Sequence, residues 1–175
     1  MNPIQAIKSW AAHKILRRRD EIVPIIQYPD ERLSLPNEEV NFETSTREER
    51  LLLLRKMIAT LNAQPWGNRL GIAAPQIGIN LRVCIVMGTP MFNPVFTAPK
   101  SGQRADMVEG CYSLPQDALY KVDRAKYGWV KWLDIDGRPH EEKFQRLKAI
   151  VAQHEISHLD GKCCNQLGQP VHSNK

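Results

Sequence analysis

The chain has 175 residues, 42% of them hydrophobic and 25% charged, which is ordinary usage for one globular domain with a sizeable core. No apolar run approaches the ~18 to 20 residues that a membrane span requires, and the first residues lack the apolar h-region and small-residue cleavage site of a secretory signal, so a soluble, cytoplasmic protein is expected. The net charge of +5 is concentrated at Lys8, Lys14, Arg17, Arg18 and Arg19, with no acid before Asp20; beyond it the charges cancel, which argues against nucleic-acid binding by the body of the protein.

Residues 4 to 16 place Ile4, Ile7, Ala11 and Ile15 at helical spacing ahead of the basic run. Residues 1–20 therefore read as a basic amphipathic extension. A solvated surface helix or frayed tail is its plainest interpretation; ribosome docking, membrane-surface contact and an organelle presequence are the functional ones. Ile22 to Gln27 predicts a strand, ended by a turn at Tyr28-Pro29-Asp30. Ser45 to Glu48 reads as a capping box, followed by a core-facing stripe of Leu51, Leu54, Met57, Ile58 and Leu61 to about Asn62. Gln64-Pro65-Trp66-Gly67 ends that helix. The string GIAAPQIG, residues 71 to 78, encloses small residues between glycines and suggests backbone held close to a strand or a ligand. Gln76 is its single polar side chain and, taken alone, reads as a loop-stabilising amide.

Leu81 to Met87 predicts a strand in which Cys84 is a small buried residue. Met91 to Phe96 is interrupted by Asn93-Pro94 and predicts a turn or an edge strand. In VEGCYSLP, residues 108 to 115, Cys111 follows Gly110 within a short extended segment. Tyr127 to Ile135 is rich in β-formers, and Asp136-Gly137 predicts a hairpin returning near His140 to Phe144. Trp129 and Trp132 have opposite parity, so one of them should face outward. After Gly161 the remainder looks too short to build another element of consequence, and residues 166–175 read as a tail.

QHEISHLDG, residues 153 to 161, predicts a helix that sets His154 and His158 one turn apart on one face, as two imidazoles reaching a single metal ion require. Leu147, Ile150 and Val151 share that face, and Gly161 offers a C-terminal stop. Two histidines satisfied by hydrogen bonds are the alternative on this string alone. Glu155 points away from the ligand line and is placed to act as general base toward a water. The four cysteines, Cys84, Cys111, Cys163 and Cys164, show no disulfide pattern and read as reduced. Cys111 is the best third ligand, with Cys84 the competitor in an apolar strand and Cys163 and Cys164 on a tail that would have to fold back. A Cys-His-His set with one open position is catalytic in type, and hydrolysis of a carbonyl compound follows.

GIAAPQIG, EGCYSLP (109 to 115) and QHEISHLDG, in this order and spacing, closely resemble the three signature motifs of peptide deformylases. YPDERL at 28 to 33, the capped helix and Asn93-Pro94 are also similar, so the resemblance covers about residues 22 to 161. It implies an α+β fold with antiparallel strands packed around a central metal-binding HExxH helix, and a catalytic domain over residues 21–165. It implies a metal-dependent hydrolase that removes the formyl group from formyl-methionine at the N-terminus of nascent polypeptides. One divalent ion would be held by Cys111, His154 and His158, Fe2+ first and Zn2+ or Ni2+ tolerated. Glu155 would be the catalytic acid/base, with Gln76 and the Tyr112 backbone N–H stabilising the oxyanion. Gly71 and Gly110 would pair with the peptide as an added strand, while Leu70, Met107, Leu147, Ile150 and Val151 surround the methionine side chain.

Two departures stand out. Arg69 occupies the place of the first glycine in the usual GxGxAAPQxG, which would alter the loop or add a cation at the cleft. Ser157 replaces the usual aspartate of HExDH, for which altered support of the ligands is expected and not loss of metal. The short tail resembles compact forms from some bacteria and phages, whose location would be the cytoplasm; a presequence at 1–20 would instead make it organellar. The alternatives are a metallopeptidase acting on internal bonds, which HExxH alone permits, and a noncatalytic binder of formyl peptides or ribosomes.

Overall fold

The computed structural model describes residues 22–65 and 67–171; the helix expected over 4–16, the basic run and Trp66 lie outside them. Helix α1 (Arg47–Asn62) begins at Thr46, whose hydroxyl accepts from the Glu49 N–H at 3.2 Å while the Glu49 carboxylate accepts from the Thr46 N–H at 2.8 Å. This reciprocal cap was expected one residue earlier. Ser45 is committed elsewhere: its hydroxyl donates to the Asn41 carbonyl and accepts from Arg50, which leaves Thr46 to close the helix. Leu53, Leu54, Met57 and Leu61 form the core face, whereas Ile58 is 44% exposed and Leu51 only half-buried. The stripe is thus rotated from the one expected.

The strand expected over Ile22 to Gln27 does not form. Its backbone distributes its hydrogen bonds singly, Val23 N–H to Thr60 Oγ1 at 2.9 Å and Ile26 N–H to the Gln76 carbonyl at 2.8 Å, so no ladder develops. Tyr28 N–H continues the series to the Ser113 carbonyl at 2.8 Å. The segment therefore straps the GIAAPQIG and EGCYSLP strings together.

Five strands form one antiparallel sheet in the order β1-β2-β3-β6-β7: β1 (Gly71–Ala73), β2 (Val83–Val86), β3 (Thr89–Thr97), β6 (Tyr127–Leu133) and β7 (Pro139–Gln145). β3 is interior, not the turn or edge strand expected. Asn93 at φ 50° takes up a register shift between Phe92 and Val95, so Pro94 falls in a bulge and costs no ladder bond. The β6–β7 hairpin turns at Gly137, φ 79°, with Asp134 Oδ1 accepting from the Asp136 and Arg138 N–H groups. Trp132 is 8% exposed and Trp129 49%, as their parity requires.

A second antiparallel sheet, β4-β5-β8, joins β4 (Arg104–Glu109), β5 (Tyr120–Ala125) and β8 (Gln169–Pro170). β4 stops at Glu109; Gly110 and Cys111 follow it outside any strand, and a turn begins at Tyr112. The tail was expected to build no element of consequence; it adds only the short α3 (Cys164–Leu167) and β8, whose Gln169 and Pro170 pair with Lys121 and Tyr120.

Helix α2 (Arg146–Leu159) lies between the sheets. Ala149, Val151, Ala152, Ile156 and Leu159 pack with Cys84, Val86, Met91, Val130 and Phe144 of the larger sheet; burying a Leu or Phe side chain contributes about 1.5–3 kcal/mol. The helix ends at Gly161, φ 72°, where the Lys162 N–H reaches back to the Ser157 carbonyl at 2.9 Å. Antiparallel sheets around the HExxH helix are the α+β arrangement expected. Among the described residues no helix is long and apolar enough to cross a membrane.

Candidate metal centre

α2 presents His154, Glu155 and His158 toward the junction of the two sheets; the two imidazole centroids are 5.1 Å apart with rings inclined at 78°. The segment after β4 brings Cys111 to the same point, its Sγ 3.3 Å from His158 Nε2. One donor atom from each of Cys111, His154 and His158 lies within 4.8 Å of the others. The Cys111 sulfur also receives the Ser113 N–H at 3.4 Å and Gln76 Nε2 at 3.5 Å. Gln76 is itself fixed, because its Oε1 accepts from the Ala73 N–H at 2.9 Å and its Nε2 also reaches Ser113 Oγ at 3.3 Å.

Burial sets the protonation of these groups. His158 is held well below the usual imidazole range by burial and then by the nearby charges of His154 and Arg124, so it is neutral and keeps a lone pair. Burial pushes the Cys111 thiol up, opposed in part by the Ser113 N–H. Glu155 is 4% exposed and raised to about 7, chiefly by burial, with His154 opposing. Its Oε2 has no hydrogen-bond partner among the described residues.

A second layer holds the first. Glu109 Oε2 lies 2.9 Å from His154 Nδ1, and Arg124 grips the same carboxylate through Nε and Nη2, both at 2.9 Å. Burial alone would raise Glu109, but the hydrogen bonds from His154 and Arg124 outweigh it and hold the group at about 2. Arg124 Nη1 also donates to Ser157 Oγ at 3.0 Å. The serine thereby keeps a hydrogen bond to the relay that supports His154.

A cleft of about 430 Å³ opens onto this point between the free edges of β1 and β4. Leu70, Gly71, Met107, Gly110, Leu147, Ile150 and Val151 line it together with Gln76, Tyr112, His154 and Glu155. Arg69 stands at the mouth with φ 51°, a conformation that suits the glycine it replaces, and its N–H donates to the Tyr112 hydroxyl at 3.2 Å. All the residues expected from the sequence thus converge. Cys84 does not: it is sealed in the core with Val86 and Met91. Three contributors went unrecognised in the sequence, namely Glu109, Ser113 and Arg124. Glu109 and Ser113 belong to the EGCYSLP string, which was a usable signal; nothing local marks Arg124. Cys163 does fold back, and its Sγ lies 3.7 Å from His158 Nδ1.

The sequence matches the family described as polypeptide deformylase over residues 22–169. The chain belongs to the peptide deformylase family. The peptide deformylase of Acidobacterium capsulatum is 36% identical over 148 residues, spanning 80% of this chain and 82% of that protein. That of Baumannia cicadellinicola is 32% identical over 148 residues, spanning 81% and 83%. Among solved structures, the actinonin-bound class I type b peptide deformylase from Acinetobacter baumannii superposes with a TM-score of 0.77 at 31% identity, covering 85% of this chain and 99% of that one. A second structure of that protein, bound to Met-Ala-Ser, gives 0.76 at 28% identity with the same coverage.

Peptide deformylases are metal-dependent hydrolases, and the residues here fit a divalent ion. A neutral buried imidazole, a second imidazole and a thiol converge, with the unpartnered Glu155 Oε2 nearby. A cation would compensate the burial that now opposes thiolate and carboxylate.

Proposed function

We propose that the protein removes the formyl group from formyl-methionine at the N-terminus of nascent polypeptides. The observation that carries this reading is the convergence of Cys111, His154 and His158 beside a cleft bordered by two strand edges. These three residues hold one divalent ion, Fe2+ in the cell, with Zn2+ or Ni2+ able to replace it. When bound, the ion would supply Lewis acidity for the hydrolysis.

Glu155 takes a proton as the water oxygen adds to the formyl carbon, and returns it to the amine nitrogen as the carbon–nitrogen bond breaks and formate leaves. The raised affinity of Glu155 for a proton suits it to both steps. Gln76 Nε2 and the Tyr112 backbone N–H donate to the oxygen that becomes negative; fixing Gln76 through Ala73 orients its amide in advance. The peptide extends along β1 and β4, pairing with Gly71 and Gly110. Leu70, Met107, Leu147, Ile150 and Val151 enclose the methionine side chain, whose flexible thioether fits an apolar wall.

The catalytic unit spans residues 21–165 and is completed by the tail, since β8 pairs with β5. Residues 1–20 are a basic extension whose charge, Lys8, Lys14, Arg17, Arg18 and Arg19, would favour contact with the ribosome. The substrate is made in the cytoplasm of a bacterium or phage-infected cell; an organelle replaces it if residues 1–20 serve as a presequence. Anaerobic purification, metal analysis and a formate assay with formyl-Met-Ala-Ser test the reading. Stoichiometric metal with formate release is expected; bound metal without formate release, or cleavage of unformylated internal bonds, would overturn it.

A further inference from the structure

Each histidine of the centre keeps one ring nitrogen turned away from the shared point. For His154 that nitrogen is Nδ1, met by a carboxylate oxygen of Glu109 at 2.9 Å. For His158 it is also Nδ1, and the atom opposite is Cys163 Sγ at 3.7 Å, while Nε2 faces Cys111 Sγ at 3.3 Å. Among the described residues His158 Nδ1 meets no other hydrogen-bonding atom. The sulfur is placed by built structure. Gly161 reverses the chain at φ 72°, close enough to the Ser34 carbonyl that an added Cβ would stand 2.8 Å from its oxygen, so the turn has little room to shift. The Cys163 N–H is tied to Gln166 Oε1 at 2.8 Å, and the side chain is 1% exposed.

We infer that Cys163 is a positioning residue of the centre: its sulfur accepts the His158 Nδ1–H and so fixes the tautomer and ring orientation that leave Nε2 free for the ion. A ligating histidine needs such a partner, and removing one typically costs 10–100-fold in metal affinity. The two histidines are then unequal. A carboxylate makes His154 the more electron-rich ligand, whereas a thiol sulfur is a weak acceptor and leaves His158 closer to an ordinary imidazole. The thiol itself is no ligand, because it stands on the far side of the ring from the convergence point. The inference rests on the metal reading above.

The test compares wild type, Cys163→Ser, which keeps an acceptor, and Cys163→Val, which fills the space without one. Each is loaded with Zn2+ or Co2+. Chelator competition is expected to show metal affinity lowered roughly tenfold in C163V and restored to within about threefold in C163S. In the Zn2+ form the slowly exchanging Nδ1–H proton of His158 should be seen by NMR in wild type and C163S and lost in C163V; the Co2+ visible bands should follow the same order. Equal affinity and an intact proton signal in C163V would overturn the inference, as would C163S behaving like C163V, which marks Cys163 as filler. Should C163V fail to fold, C163S alone decides: wild-type affinity with a retained proton signal supports the hydrogen bond, and loss of both refutes it. Wild type that binds no metal would instead sink the functional reading.

Discussion

Gly71 is small because Glu155 occupies the space its side chain would need: a Cβ built there stands 2.8 Å from both Cδ and Cγ of the glutamate. β1 and α2 are thereby fitted so that the proposed base lies against the strand proposed to receive the peptide. Gly71→Ala should displace the Glu155 carboxylate. Turnover of formyl-Met-Ala-Ser is expected to fall about 10²-fold, since small misplacements of a reacting group have that effect, while metal content is unchanged. Equal turnover in the alanine variant would mean the glutamate has room elsewhere.

Glu155→Ala removes the proposed acid/base without touching a ligand. Bound metal, measured by elemental analysis, should stay near stoichiometric, and kcat should drop by 10²–10⁴-fold or more. Retained activity would remove Glu155 from this role.

Glu109 links stability to pH. Its carboxyl sits at about 2 in the folded protein against an ordinary 4.5, so its contribution is present above about 4.5 and is lost as pH falls toward 2. The upper bound is about 3 kcal/mol. Glu109→Gln should flatten the fall of Tm between those pH values in chelator-treated protein and weaken metal binding 10–100-fold in the loaded form. Parallel Tm curves for the two proteins would refute the linkage.

Arg69 has no ion-pair partner among the described residues, and its guanidinium is tethered by Nη2 to the Gln64 carbonyl at 3.0 Å. Formyl-Met peptides with an acidic residue after methionine should be preferred over those with lysine. Arg69→Gly, which suits φ 51° better, should erase up to about a fivefold advantage, mainly through KM, as expected of an exposed ion pair. An unchanged ratio of kcat/KM values would show that the cation does not meet substrate.

The parts of this protein that local chemistry determines are readable from the chain. The spacing of His154 and His158 makes a shared helical face, Asp136-Gly137 makes a hairpin, the parity of Trp129 and Trp132 places one of them outside, and Gly161 ends α2. Even the misplaced cap shows the boundary of that logic, since Ser45 and Thr46 were equally suited and a contact from Arg50 decided between them. The proposed site residues Gln76, Cys111, His154, Glu155 and His158 could be picked out because three strings carry them in a recognisable order. What the strings do not carry is their support. Arg124 reaches Glu109 across fifteen residues, Cys163 reaches His158 through a reversal at Gly161, and the backbone of residues 22–28 spends its hydrogen bonds on three separate segments. Periodicity and turn chemistry act over a few residues, so the sequence alone determined the helix, the hairpin and the donor types. Which thiol meets which imidazole depends on how two sheets close around α2, and that only the tertiary structure could decide.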